Sequence, residues 1–407
     1  MKTSKALMYT TVYLTVTALL MTVATGCWSR KEIESLAFVT AVGVDRSPSG
    51  KIQMTASFAK SGVLGTGERQ TSQEKPFWVE TVEGNTMFES FRNLSYLSPK
   101  RPYLPHNDIY LFGEELLRET GLKPFIDLIN RHPEPRLMAR MIVTRGATAR
   151  DFLQAEFEGM TMPSEALRAI INNLVNAWGT IPDLTIREFM CRMESEGIEP
   201  IAMCAELIPL EPDIQLEGEV TREKVKATAT LGGTAVFKGN YLVGWLDNFE
   251  TRGLNWILGK TNNTVIEFPH PGAEDKIASV EILRATGKFK VEVEDDNVRA
   301  LIEVEVVGNI GCVQESVDFL KEPGLWTKFE NGVKNTIEDE IAGAVATLQQ
   351  LGADAVGFGQ DIFRRKPKEW ARLRDRWDEI FPTIEADISV EVHLRGMGVI
   401  LKSIESR

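Results

Sequence analysis

Histidine and cysteine are both scarce in this 407-residue chain, four of each, and their placement removes whole classes of chemistry. His106, His132 and His270 each adjoin a proline and read as loop residues, while His393 falls on the polar face of a strand. No H-E-x-x-H pair, EF-hand loop or G-x-S-x-G nucleophile elbow occurs. Glycines cluster at 62–67 and 352–359 without the G-x-x-x-x-G-K-[ST] pattern that cradles phosphate. Glu294-Asp295-Asp296 reads as a turn between strands rather than a glycosidase carboxylate pair. No catalytic residue and no metal-ligand set emerges. Cys27 aside, Cys191, Cys204 and Cys312 form an odd set without C-x-x-C, which argues against a disulfide framework or a zinc site. Buried free thiols are expected, with a Cys191–Cys204 bridge as the alternative. Positive charge is short too, 46 Lys and Arg against 58 Asp and Glu for a net −12. An acidic chain without a domain-sized basic patch is a poor nucleic-acid binder. With 43% hydrophobic and 26% charged residues it is ordinary globular material, not a disordered one.

What stands out is the uncharged apolar run from Ala6 to Ala24, with Lys2 and Lys5 before it. Ala24-Thr25-Gly26-Cys27 ends it, and Arg30-Lys31-Glu32 follow. A basic start, an apolar stretch and a small-residue cleavage site are the parts of a secretory signal. A cysteine directly after the small residues resembles the lipobox of bacterial lipoproteins, in which the signal is cut before the cysteine and its sulfur carries a diacylglycerol. Ala24 stands where the usual lipobox has leucine. A retained transmembrane anchor, approaching the ~20 residues a bilayer needs, and a buried core helix are the alternatives. The first two both leave everything after Cys27 outside the cytoplasm and tied to a membrane; two acyl chains suffice for stable anchoring. Removing 1–26 takes away Lys2 and Lys5 and no acid, so the net charge moves from −12 to −14.

The remaining length predicts two or three domains, and the periodicities place three. The fold expected is α+β, mixed and antiparallel sheets with packed helices behind a cleaved signal at 1–26. An N-terminal α+β domain (27–159) opens with strands at Leu36–Arg46 and Ile52–Ala59 about a Ser-Pro-Ser-Gly turn. Residues 61–76 read as a loop. Thr86-x-x-Glu89 caps a helix. A helix-rich middle domain (160–222) carries amphipathic helices at 164–178 and 185–196, the second opened by Thr185-x-x-Glu188. The C-terminal domain (223–407) has a hairpin about Lys238-Gly239-Asn240, alternating strands around 289–306, a long helix with Leu325, Phe329, Val333, Ile337, Ile341, Val345 and Leu348 on one face, and a final strand from Ile384 to Leu394. An antiparallel sheet covered on one face by the long helix is expected there.

Several stretches carry a resemblance. Gly26-Cys27-Trp28 with Glu32-Ile33-Glu34, the segment Gly233 to Lys238, Gly244-Trp245-Leu246, Glu250 to Trp256, Gly357-Phe358-Gly359 and the Trp377…Phe381-Pro382 tail resemble the Ger(x)C family of spore germination lipoproteins, in the same order along the mature chain. The resemblance implies the C subunit of a nutrient germinant receptor, a three-domain lipoprotein on the outer face of the spore's inner membrane. It implies assembly with a polytopic A subunit and a transporter-like B subunit, and a role in signal reception rather than catalysis. The only attached group it calls for is the acyl lipid on Cys27; no other cofactor is expected.

Two further stretches are candidate contact sites. Trp245, Glu250, Arg252 and Trp256 fall in one short span, and tryptophan and arginine are preferred anchors of protein interfaces; core packing is the competing reading. Arg364, Arg365, Lys366 and Lys368 begin a cationic run that could lie on anionic headgroups or a partner, or be a solvated helix face. The reading is a membrane-anchored, non-enzymatic receptor subunit acting as a scaffold. The alternative is an extracytoplasmic lipoprotein that captures a small ligand for a transporter, for which two α/β lobes around a cleft are expected.

Overall fold

The computed structural model describes residues 2–24, 32–60, 76–155, 162–209, 227–261, 263–295, 297–315, 319 and 322–396. Cys27 and the expected loop at 61–75 lie outside them. The signal-like run is one helix, α1 (Lys2–Ala24), with Leu7, Tyr9, Val12, Leu14 and Leu19 all exposed. Its threonines turn their hydroxyls back on the helix: Thr10 and Thr15 donate to the Ala6 and Thr11 carbonyls at 2.8 Å. No helix among the described residues is long and apolar enough to cross a membrane.

The chain then forms β1 (Leu36–Arg46), β2 (Ile52–Ala59), β3 (Phe77–Gly84), α2 (Met87–Leu97), β4 (Arg101–Tyr103), β5 (Ile109–Gly113), α3 (Glu114–Glu119) and α4 (Lys123–Arg131). Next come β6 (Arg140–Arg145), α5 (Ala149–Gln154), α6 (Pro163–Ala177), α7 (Ile186–Glu194), β7 (Ile201–Pro209), β8 (Ala227–Lys238) and β9 (Tyr241–Leu246). These strands join one sheet ordered β3-β2-β1-β5-β6-β7-β8-β9, with β4 beside the start of β1. β1, β5, β6 and β7 run parallel; antiparallel strands flank them. Parallel strands need both faces covered, and the alternation of side chains supplies that here. Tyr110 and Phe112 enter one core with Val42, Phe58, Phe125 and Phe237. Ile109 and Leu111 enter the other with Ile142, Phe152, Leu167 and Met203.

Sheet membership runs across both boundaries read from the sequence. β7, from the expected middle domain, pairs with β6 before it and β8 after it. The β8–β9 hairpin, expected in the C-terminal domain, completes this first sheet. Helices α6 and α7 therefore cover a sheet rather than form a body of their own. The amphipathic stripes and several of the strands they cover were legible, but not that those strands join one sheet.

The second sheet follows α8 (Asn248–Ile257). It comprises β10 (Thr264–His270), β11 (Ala273–Glu294), β12 (Asn297–Val313) and, after helices α9 (Pro323–Leu351), α10 (Phe358–Arg365), α11 (Pro367–Leu373) and α12 (Trp377–Ile380), the last strand β13 (Glu385–Leu394). Its order is β10-β11-β12-β13. β13 pairs parallel to β12, not antiparallel as expected, because four helices carry the chain back to the end where β12 began, and parallel neighbours require such a crossover. One face is wet, with Lys288 and Glu303 paired at 2.8 Å across β11 and β12. α9 lies on the other, its seven expected apolar residues all buried, and ends at Gly352 with φ 60°. His270, expected in a loop, ends β10 buried with its ring 5.5 Å from Phe329. A continuous core joins Ile201, Val236 and Leu246 of the first sheet to Trp256, Ile302 and Ile341 of the second half.

Candidate functional site

Helix α8 stands between the two sheets, and its sequence explains why it can. Asp247 and Glu250 form a capping box: each side chain accepts from the other's backbone N–H at 2.8 Å. One turn in, Arg252 and Trp256 share a face by their i, i+4 spacing. The Arg252 Nε donates to both Glu340 carboxylate oxygens at 3.2 and 3.0 Å, Nη2 adds a further short bond to Glu340, and Nη1 donates to the Val265 carbonyl at 3.0 Å. Trp256 Nε1 donates to Glu340 Oε2 at 2.9 Å. Arg252 and Glu340 are both almost fully buried. Thr251 bonds the Thr234 hydroxyl of β8 at 2.9 Å. Asn255 Nδ2 donates to the Gly179 and Ile181 carbonyls at 2.8 and 3.0 Å. Gly253 lets α9 approach: a Cβ there would lie 2.0 Å from the Glu340 carbonyl oxygen. The whole run from Glu250 to Trp256 is thus used to fix the first sheet, α8 and α9 to one another.

Of the two readings, partner contact and core packing, this placement gives Arg252 and Trp256 core packing. Arg252 and Trp256 are buried and fully engaged, because the apolar face of α8 turns inward between two sheets. Trp245 is half-buried, with the Arg145 guanidinium 5.4 Å from its ring centroid. Glu250 is half-buried and accepts from Thr347. What stays outside is Phe249, 64% exposed, and Trp178, 49% exposed. Both line an open cavity of about 440 Å³ beside the junction, with Glu267 and Asp339 on its rim. Trp178 reads in the sequence as the end of a core stripe; it is the residue that caps α6, where the helix no longer faces the sheet.

A second seam lies around Asp354. Its carboxylate accepts from the backbone N–H of Gly357, Phe358 and Gly359 at 2.7, 3.0 and 2.8 Å, and burial nevertheless pushes its pKa up to about 6. The Glu199 N–H donates to the Asp354 carbonyl at 2.9 Å, and the Gln360 N–H to the Gly197 carbonyl at 2.7 Å. Arg192 Nη1 reaches the Ala355 and Glu199 carbonyls at 2.8 and 3.1 Å. Gly197 has φ 73°, and a Cβ on it would sit 2.3 Å from the Gly359 carbonyl carbon. The Gly357-Phe358-Gly359 motif therefore marks a backbone-to-backbone contact between the halves.

Of the cationic run, Arg364, Arg365 and Lys368 are exposed and Lys366 is half-buried. Arg365 pairs with Asp361 at 2.7 Å; Arg364 and Lys368 form no ion pair among the described residues. Trp370 and Trp377 turn inward and meet at 5.2 Å.

The carboxyl ends of β1, β5 and β6 open onto a cavity of about 650 Å³ lined by Asp45, Gly113, Glu114, Arg118, Gly146, Thr148 and Asp151, among others. Sequence reasoning did not find it, since it depends on parallel pairing. Asp45, buried, accepts from the N–H groups of Ala149 and Arg150 at 2.8 and 3.0 Å; burial raises its pKa to about 6. Arg118 pairs with Glu114 at 2.8 Å, and Asp151 closes the Thr148 capping box. The charged groups here are engaged with one another.

Cys204 is a buried free thiol, as expected, and burial pushes its pKa up to about 12. Cys191 and Cys312 are free but exposed rather than buried. Among the described residues no group of three His, Cys, Asp or Glu side chains is placed to hold a metal ion.

Residues 29–207 match the family model for the spore germination protein N-terminal domain, and residues 232–398 the one for spore germination B3/GerAC-like C-terminal regions. The spore germination protein KC of Bacillus subtilis (strain 168) is 24% identical over 387 residues, covering 92% of each chain. Spore germination protein B3 of the same organism is 24% identical over 381 residues, covering 93% of this chain and 95% of its own. The crystal structure of the GerBC protein shares the fold with a TM-score of 0.54 at 18% identity, over 89% of this chain and 99% of that one.

Proposed function

The chain belongs to the GerAC family of spore germination proteins, and from that membership we propose that it is the membrane-tethered C subunit of a nutrient germinant receptor. In this reading Cys27 carries the acyl lipid, the folded body lies on the outer face of the spore's inner membrane, and integral-membrane A and B subunits are its partners. Its part is non-enzymatic: it presents a fixed arrangement of surfaces to those partners. The buried Arg252–Glu340 pair carries this reading. The ion pair fixes α8 to α9, and Thr251 and Asn255 of the same helix bond the first half, so α8 ties the two halves together, as a scaffold needs. Breaking such a pair costs roughly 3–5 kcal/mol, so the arrangement is costly to loosen.

The test is nutrient-triggered loss of refractility in spores whose only copy carries Cys27→Ala, with protein level followed by immunoblot. Germination should fail while the protein persists. Normal germination with the protein released from the membrane would remove tethering from the mechanism.

A second reading, direct capture of a small ligand, is favoured by one observation. Three of the four parallel strands of the first sheet, β1, β5 and β6, end at the Asp45 cavity, and the carboxyl ends of parallel strands are where open α/β sheets hold ligands. A thermal shift of the purified protein with a single nutrient would support capture; no shift with any nutrient would leave scaffolding.

A further inference from the structure

The tether leaves the body at a definable place. At most about 3.4 Å per residue separates Cys27 from Ile33, so Ile33 lies within about 20 Å of the lipid-bearing sulfur. Ile33 is 66% exposed and just precedes β1. Because β1, β5, β6 and β7 are parallel and in register (Ala41 with Ile109, Ile109 with Arg140, Ile142 with Met203), their starts share one end of the sheet. The tether, the loop before β6 and the turn before β7 therefore converge there.

That end is unusual in what it leaves outside. Tyr96 is 88% exposed and Leu97 47%, just ahead of β4, whose Arg101 pairs with Leu36 of β1. Leu137 and Met138 are 41% and 62% exposed, just ahead of β6. Arg101 reaches Glu134 of the same loop at 2.6 Å, which holds the two apolar segments together. Two cations here, Lys100 and Arg187, have no ion pair among the described residues, and the Arg187 N–H donates to the Leu137 carbonyl at 2.9 Å. The cationic run arrives at the same end, since Gln360 at the head of α10 bonds Gly197, four residues before β7. Three strand spacings, about 15 Å, separate β7 from β1.

We infer that this end of the first sheet, at the starts of β1, β4, β6 and β7, is the face that rests on an anionic lipid surface. Tyr96, Leu97 and Met138 enter the headgroup layer, and Lys100, Arg187 and Lys368 stand over the phosphates. Exposed aromatic and apolar side chains together with cations at one end of a sheet have the composition of an interfacial contact, and the tether holds this end within reach. The inference rests on the acylation of Cys27 and adds which face meets the bilayer. The turn between β1 and β2 and the Asp45 cavity then face away from the membrane.

The experiment uses the full acylated chain with Cys191→Ser and Cys312→Ser, carrying one environment-sensitive fluorophore at Tyr96→Cys, Met138→Cys or Ser49→Cys. The proteins are reconstituted on vesicles of phosphatidylglycerol and phosphatidylethanolamine containing a spin-labelled quencher lipid. Labels at 96 and 138 should be quenched at least about twofold more than the label at 49, as for groups seated in the headgroup region. Vesicle-bound protein whose labels at 96 and 138 stay in water overturns the assigned face while the anchor stands. Protein that does not stay on the vesicles at all overturns the anchor, and this face with it.

Discussion

Arg252 and Glu340, 88 positions apart, face each other with their side chains 6% and 5% exposed, and the Trp256 indole closes the carboxylate from a third side. Truncating one partner leaves the other charge buried alone. Arg252→Met should therefore cost roughly 3–5 kcal/mol in urea denaturation. The Arg252→Met/Glu340→Leu double variant should recover much of that loss, because no unpaired charge remains. Additive losses in the cycle would mean the pair does not act as a unit.

Gly197 holds a positive φ directly against Gly359, so Gly197→Ala meets both strain and collision. It should lose at least about 2 kcal/mol. Gly146 has φ 71° with nothing within 4 Å, so Gly146→Ala should lose only the left-handed penalty of about 1–2 kcal/mol. Melting temperatures of the two variants, measured side by side, separate crowding from strain.

Burial pushes the Asp354 carboxyl up to a pKa of about 6 in the fold, from an ordinary value of 3.8. Between those values the folded protein binds the proton and the unfolded chain does not, so this group's contribution falls as pH rises through the window. The swing is on the order of 3 kcal/mol at 1.36 kcal/mol per pKa unit. Asp354→Asn removes it. The stability gap between wild type and Asp354→Asn should narrow from pH 4 to pH 6.5, and a gap independent of pH would show that the carboxyl keeps an ordinary pKa.

Phe249 and Trp178 are the exposed aromatics beside the junction. Phe249→Ala and Trp178→Ala should each change stability by less than about 0.5 kcal/mol. If a partner subunit docks there, they should reduce co-purification of the integral-membrane subunits from spore membranes at unchanged melting temperature. Undiminished co-purification would exclude this cavity as the docking point.

Cys191 and Cys312 are exposed, while Cys204 is buried with its pKa raised to about 12. The thiolate is the reactive form. Iodoacetamide at pH 8 should alkylate the first two in the native protein and Cys204 only after denaturation, as peptide mapping would show.

How much of this was legible varies by element. The strand at Leu36–Arg46 and the helix around Phe329 and Ile337 were readable because each repeats its apolar residues at a local period. The caps at Thr86 and Thr185 depend on residues three apart, so they too are local. The cluster from Glu250 to Trp256 was singled out with two readings open, a displayed contact or core packing, and the structure buries Arg252 and Trp256. Composition reports that tryptophan and arginine are present, not that a glutamate 88 residues later awaits them.

The sequence by itself determined the capped and long helices, the strands with regular alternation, the apolar N-terminal run ahead of Cys27, and the family to which the chain belongs, since all of these reside in local order and spacing. Only the tertiary structure decided that four strands of the first sheet run parallel, that the sheet takes in β7 to β9, and that Arg252 is buried rather than displayed. Strand direction and burial depend on which distant segment lies alongside. That choice is made by the summed packing of the whole chain, and no short window of residues contains it.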